Sequence, residues 1–279
     1  MYRFNLLSTS LLLSLGACEG RGEDSGTEAD ADTDADSDTD TDADGDTDTD
    51  TDSDADAGYS VSGTAIDFAA RTPAADGLSV SFADPQPALT GGELAILATA
   101  TTAGGGLFTV SGIEAKPALG AFLVVTGGDN MPTATGVATT AYADLADGDA
   151  ITDVSAYVIS NVLAGGVNDS AAPLGYTGDV LVDGLLMVLV RDNTGNPAIG
   201  ATVTNSQGSM VYYLDGDPTD GLFTTMGAPN TATDSSGIAV IPGGAIDTYE
   251  ATSGAQYGSQ LGGTLPGLAA FIGINLADM

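Results

Sequence analysis

The sequence predicts a mainly β protein: two small β-sandwich units with one short connecting helix, preceded by a disordered acidic linker. Three observations predict it. From residue 58 onward, short alternating apolar runs recur between Gly, Pro, Asn and Asp, the pattern of strands separated by turns. Near residue 153 the apolar spacing changes to three and four, the period of a helix. Before residue 58, from Glu19 on, no apolar residue is larger than alanine, so that stretch has nothing to bury.

Residues 1–17 read as a secretory signal. Arg3 supplies a weak positive n-region, and Leu6-Leu7 through Leu11-Leu12-Leu13 form a short h-region broken by Ser and Thr. With well under ~18 unbroken apolar residues, this stretch is too short for a membrane span. Small residues then lead to Cys18, the single cysteine of the chain. The run Leu15-Gly16-Ala17-Cys18 resembles a bacterial lipobox. That resemblance implies cleavage before Cys18 and lipid attachment to its sulfur and new amino terminus; the alternative is an ordinary signal cleaved after Ala17 that leaves an unmodified cysteine. Each buried methylene contributes roughly 0.8 kcal/mol, so two or three acyl chains hold essentially permanently. Glu19 follows, where resemblance to enteric lipoproteins would link an Asp to retention in the inner membrane. The expected location is therefore extracytoplasmic and lipid-anchored, at the outer membrane or cell surface.

Residues 18–58 comprise the lipidated cysteine and a spacer. Asp occupies every even position from Asp30 to Asp56, 14 in all, with Thr, Ala, Ser or Gly between them. On a strand every Asp would share one face and repel its neighbours. No burial offsets the chain entropy of folding, so the tract is expected to be disordered and self-repelling. Fully extended at ~3.3 Å per residue, it spans at most about 90 Å. A calcium repeat needs a turning loop with six to eight oxygens. Only Gly45 interrupts the alternation, so the tract reads as a solvated spacer with weak, diffuse cation association.

From residue 58 on, the chain holds 21 acids and three cations, Arg71, Lys116 and Arg191. So few cations exclude nucleic-acid binding through phosphates and attraction to anionic lipid. The expected partners are the membrane, through the lipid anchor, and a surface protein or glycan of unknown identity. The first unit is expected at 59–165, with alternation at Leu78-Val80-Phe82, Leu94-Ile96, Phe108-Val110 and Ala121-Leu123-Val125. Val154, Tyr157, Val158, Asn161 and Val162 predict a helix at about 153–164, with Asp153 as N-cap and Gly165-Gly166 as stop. The Gly/Asn/Asp/Pro-rich stretch 165–183 is the expected boundary. A second domain, 184–279, carries strand patterns at Leu185–Arg191, Ala201–Thr204, Met210–Leu214, Ile238–Ile241, Thr248–Thr252 and Leu268–Leu276.

Two stretches carry a family resemblance. Val188 through Val203, with Asp192, Gly195, Pro197 and Gly200-Ala201 at its turn, is similar to the opening hairpin of carboxypeptidase-regulatory-like and bacterial Ig-like (transthyretin-like) domains. Thr233-Asp234-Ser235-Ser236-Gly237 resembles the same families' Thr-Asp-x-x-Gly hairpin. A fainter echo runs through Val61–Asp67, Pro73, Gly77–Val80 and Gly106–Ile113. The resemblance implies a β-sandwich fold and no particular activity.

Catalytic signals are mostly missing. The sequence has no histidine, which excludes Ser-His-Asp triads and imidazole metal ligands. Lys116 is the single lysine and no phosphate-loop sequence contains it. A Lys–Asn isopeptide bond at Lys116 is disfavoured by its place before Pro117 in an expected loop. Asp24-Ser25-Gly26 matches an aspartic-protease triplet by chance, inside the spacer. Glu93, Glu114 and Glu250 leave carboxylate-pair hydrolysis formally open. Trp is absent, so sugar stacking would fall to Tyr212, Tyr213, Tyr249 or Tyr257. Asp215, Asp217 and Asp220 form the best local calcium pattern, one residue out of step with Asp-x-Asp-x-Asp-Gly, and a turn-rich hairpin explains them equally well. The expectation is a non-enzymatic structural or binding protein with no catalytic residue, no metal and no cofactor assigned. The alternatives are an envelope hydrolase using paired carboxylates, or a calcium-dependent carbohydrate-binding module.

Overall fold

The computed structural model describes residues 58–216, 222–225 and 228–279. The signal sequence, Cys18, the acidic spacer up to residue 57, Asp217 and Asp220 lie outside the described residues. The fold is mainly β, as the sequence predicts. In chain order the first strands are β1 (Tyr59–Asp67), β2 (Ser79–Asp84), β3 (Ala95–Thr101), β4 (Leu107–Ile113) and β5 (Ala121–Thr126). Then come β6 (Asn130–Met131), β7 (Thr133–Val137) and β8 (Ala150–Ser160), with one helical turn, α1 (Gln86–Leu89), between β2 and β3. Two helices follow, α2 (Asn161–Ala171) and α3 (Val180–Asp183). The later strands are β9 (Leu185–Arg191), β10 (Thr202–Asn205), β11 (Tyr212–Tyr213), β12 (Thr224–Thr225) and β13 (Ala228–Pro229). The chain ends with β14 (Ile238–Pro242), β15 (Asp247–Ser253), β16 (Gln256–Gly262), β17 (Ala269–Asn275) and β18 (Ala277–Asp278).

An eight-stranded sheet, ordered β11-β14-β9-β17-β7-β5-β2-β3, forms the spine of the described residues. A sheet ordered β4-β1-β8-β6 covers one half of it, and a sheet ordered β10-β15-β16-β18 covers the other. Two sandwich cores result. Val61, Phe108, Val110 and Val158 meet Val80, Phe82, Leu123 and Val125 in the first. In the second, Val203, Tyr249 and Ala251 meet Val188, Ile241, Ala270, Ile272 and Ile274. Each fully buried large apolar side chain contributes roughly 1.5–3 kcal/mol relative to exposure.

The expected boundary at 165–183 separates these cores in chain order but does not separate the sheet. β17 pairs in parallel with β9 on one side and with β7 on the other. The back face of β9, β14 and β17 is also buried. Leu185, Met187, Val240 and Phe271 pack with Ala164, Val167 and Ala171 of α2. Burial on both faces explains why these strands read as continuous apolar runs.

The helix expected at 153–164 is displaced. Residues 150–160 form β8, parallel to β1, and α2 begins only at Asn161. Between the pairs Val61↔Ile151 and Gly63↔Val154 the register slips, and Asp153 takes φ 60°. This bulge puts Ile151, Val154, Ala156 and Val158 on one face. The extra residue turns a spacing of two into three and imitates a helix. Ser160, not Asp153, is the N-cap, its Oγ accepting from the Leu163 N–H at 3.2 Å. Gly165 and Gly166 lie inside α2, which continues to Ala171. Its buried Ala164, Val167 and Ala171 hold it to the sheet against the glycine penalty.

Candidate functional site

The two motifs that carry the family resemblance are one interlocked structure. Asp192 Oδ1 accepts from the backbone N–H groups of Thr194 (2.9 Å) and Asn196 (3.0 Å) and from the Thr194 hydroxyl (2.7 Å). These bonds hold its carboxyl below the usual carboxylate range. Gly195, at φ 83°, closes the turn, and the Ala198 N–H returns to the Val190 carbonyl at 2.9 Å. Thr233, from the second motif, is buried beneath that return. Its Oγ1 donates to the Ala198 carbonyl (2.6 Å) and accepts from the Ala201 N–H (2.9 Å). The motif residues therefore serve the fold.

Other displaced carboxyls do the same kind of work. Asp76 accepts from three successive N–H groups, Gly104 (3.1 Å), Gly105 (2.9 Å) and Gly106 (3.0 Å). Those bonds lower its pKa. They pin the corner between β3 and β4, where the chain crosses between sheets. Asp247 is lowered chiefly by the Ser206 hydroxyl, with the Thr248, Gln207 and Ser206 N–H groups adding to it.

The remaining expected residues are placed as follows. Lys116 Nζ donates to the carbonyls of Ala143 (3.1 Å) and Leu145, which ties a loop rather than facing an asparagine. Asp215 donates its N–H to Leu222 O at 2.7 Å, and its carboxylate lies 3.4 Å from Asn230 Nδ2. Among the described residues no three acidic, Cys or His side chains converge on a point where a metal ion would fit. Glu93 precedes β3, Glu114 follows β4, and Glu250 lies on the exposed side of β15 opposite Thr204 and Ser259. The tyrosines depart from expectation. Tyr212, Tyr213 and Tyr249 are buried, with Tyr213 OH accepting from Val203 N and Tyr249 OH donating to Ala245 O. Of the four considered as sugar platforms, Tyr257 alone is exposed.

One concavity was not visible in the sequence, because widely separated loops build it. A shallow groove of about 600 Å³ is lined by Tyr176, Val182, Asp183, Met210, Pro242 and Pro266, with glycines between them. A neighbouring depression of about 650 Å³ shares Gly175 and Met210 with it. Tyr176 OH donates to Asp183 Oδ2 at 2.8 Å, and the Asp179 N–H reaches the same oxygen at 2.9 Å. Burial, then the Asp183 hydrogen bond and charge, push the Tyr176 hydroxyl pKa up. A Cβ at Gly178 would meet the ends of the Asp183 and Tyr176 side chains, which would have to shift. Val182 is 62 % and Met210 53 % exposed.

No protein-family model matches the chain, and no curated protein matches it. Among solved structures it is similar to the shaft pilin SpaA from Lactobacillus rhamnosus GG, at 13 % identity over 79 % of this chain and 98 % of that one, with a TM-score of 0.23. A streptococcal ancillary pilin gives 9 % identity over 79 % and 69 %, TM-score 0.24. The Bacillus anthracis TIE protein gives 11 % over 77 % and 33 %, TM-score 0.20. Likenesses this distant transfer neither a fold nor a role to this chain.

Proposed function

We propose that the chain is a lipid-anchored envelope or cell-surface protein that displays its β-sandwich cores in a structural or binding role. One observation carries the reading. The single cysteine closes the run Leu15-Gly16-Ala17-Cys18, directly after an apolar stretch and directly before an acidic spacer. A lipid on Cys18 ties the chain to a membrane, and the spacer gives the folded part reach from that surface. The charge balance of the folded part, 21 acids to three cations, keeps it off anionic membranes and nucleic acid. The lowered carboxyls Asp76, Asp192 and Asp247 hold turns, which suits a display scaffold.

Cell fractionation tests the reading. Cys18→Ser is expected to move the protein from the membrane fraction to the soluble extracytoplasmic or secreted fraction. A variant that stays with membranes as the parent does contradicts the anchor. The hydrolase alternative has its own check: hydrolysis of an envelope polymer that disappears in Glu250→Gln would replace the display reading.

A further inference from the structure

We propose that the groove at Val182 and Met210 is a binding site that takes a protein segment presenting apolar side chains flanked by Lys or Arg. The inference deepens the display reading and rests on it for one point only, that the folded part meets partners outside the cell.

Strand directions place the groove. The described chain enters at Gly58, beside the start of β1, where Ser60 pairs with Ala150 at the start of β8. β8 ends at the start of β7: the Tyr157 N–H reaches Thr135 Oγ1 at 2.9 Å, and the Ile159 N–H reaches Thr133 Oγ1 at 3.3 Å. Thr133 pairs with Ala269, Ala269 with Leu185, and Leu185 with Pro242. The starts of β7, β17 and β9 and the end of β14 thus share the end of the fold opposite Gly58. From Ala150 to Ile159 is roughly 30 Å at ~3.3 Å per residue. The groove loops belong to that far end and are hydrogen-bonded to one another: Gly243 N–H to Gly184 O, Gly267 N–H to Val182 O, and Thr264 N–H to Gly244 O.

The chemistry of the rim selects the occupant. The apolar side chains at this end are Leu181, Val182, Met210 and Ile246, all at least 39 % exposed. Loop clusters at the end of a sandwich are where rigid scaffolds present binding residues. A flexible thioether such as Met210 adapts to an apolar partner. The charged groups around the groove are acidic, Asp179 and Asp183. None of the three cations of the folded part lines it. Lys116 is tied to Ala143 and Leu145, Arg191 ends β9 at the opposite pole, and Arg71, just past the end of β1 at the groove's own end of the fold, is held over the Phe68 ring rather than lining the groove. An anionic lipid surface and a second copy of this acidic chain are both repelled, whereas a cationic, apolar-centred segment is attracted.

The test uses the full mature chain with Cys18→Ser, isotope-labelled for amide NMR. The probe is a short peptide with a Leu-Val-Leu centre between lysine pairs, and its control carries glutamates in place of the lysines. The lysine peptide is expected to shift amides of residues 175–183, 242–246 and 264–267. The double variant Val182→Ser, Met210→Ser, with its other amides unmoved, is expected to bind about tenfold more weakly, or ~1.4 kcal/mol. Shifts spread over the acidic surface and unaffected by the double variant would reduce the effect to general charge attraction and overturn the proposal. So would stronger shifts of the groove amides with phosphatidylethanolamine–phosphatidylglycerol vesicles, or concentration-dependent shifts there without peptide. Membrane retention of Cys18→Ser in cells would remove the display reading and leave a groove that binds the peptide; failed peptide binding with normal release removes the groove alone.

Discussion

Thr233→Val tests whether the two turn motifs hold each other. Valine keeps the shape and removes one oxygen. Thr233 is 3 % exposed, and its hydroxyl satisfies both the Ala201 N–H and the Ala198 carbonyl, whose residues are also buried. An orphaned buried N–H costs about 1–3 kcal/mol, and a carbonyl left with one unused lone pair costs less. The expected loss is about 2–4 kcal/mol, a large share of the 5–15 kcal/mol typical of a folded chain. Urea unfolding of the soluble Cys18→Ser chain measures it. With a slope of about 2–3 kcal/mol per molar, the midpoint is expected to fall by about 1–2 M. Thr231→Val, at an exposed position two residues away, is the control and is expected to stay within about 0.5 kcal/mol. A Thr233→Val midpoint equal to that control would refute the staple.

Three further outcomes follow from the same geometry. Gly237→Ala is expected to destabilise by about 2–3 kcal/mol, because Gly237 has φ 65° and a Cβ would lie 2.7 Å from Val190 O and 2.9 Å from Pro197 Cβ; thermal melting reads the loss. Ile272→Asp places a charge in the second core and is expected to cost several kcal/mol; a cooperative transition unchanged from the parent would mean that Ile272 is not in that core. Burial raises the Tyr59 and Tyr142 pKa values to about 12 from 10.0. A raised folded pKa means stability that is fully present below the unfolded value and lost as pH rises. Chemical denaturation is therefore expected to show stability falling between about pH 10 and 12, and a flat profile there would contradict their burial.

Much of the fold was legible because turn chemistry and alternation are local. The run at Leu185–Arg191 is β9 as read, and most other expected strands in 184–279 recur within a residue or two. Met210–Leu214 shortens to Tyr212–Tyr213. β8 was misread because its bulge at Asp153 breaks the alternation on which a strand reading depends. β16 escaped because Gly258 and Gly262 stand where apolar residues would mark its inner face; Ile274 and Ile272 of the facing strand fill that space. β7, rich in Thr, hides its burial because Thr133 and Thr135 bond to β8 instead of packing as aliphatics. Continuity of the sheet across the two halves depends on β17 meeting β7 more than 130 residues earlier in the chain, a pairing no local pattern carries. The groove is equally non-local, since Met210, Val182, Pro242 and Pro266 come from separate loops. The polar motifs, by contrast, were legible as turns and serve as turns.

The most direct test of the display account is the mass of the N-terminal peptide of the mature protein purified from membranes. The account predicts a peptide that begins at Cys18, with a diacylglyceryl thioether on its sulfur and an acylated amino group. An N-terminus elsewhere, or a Cys18 with a free thiol and free amine, would contradict it.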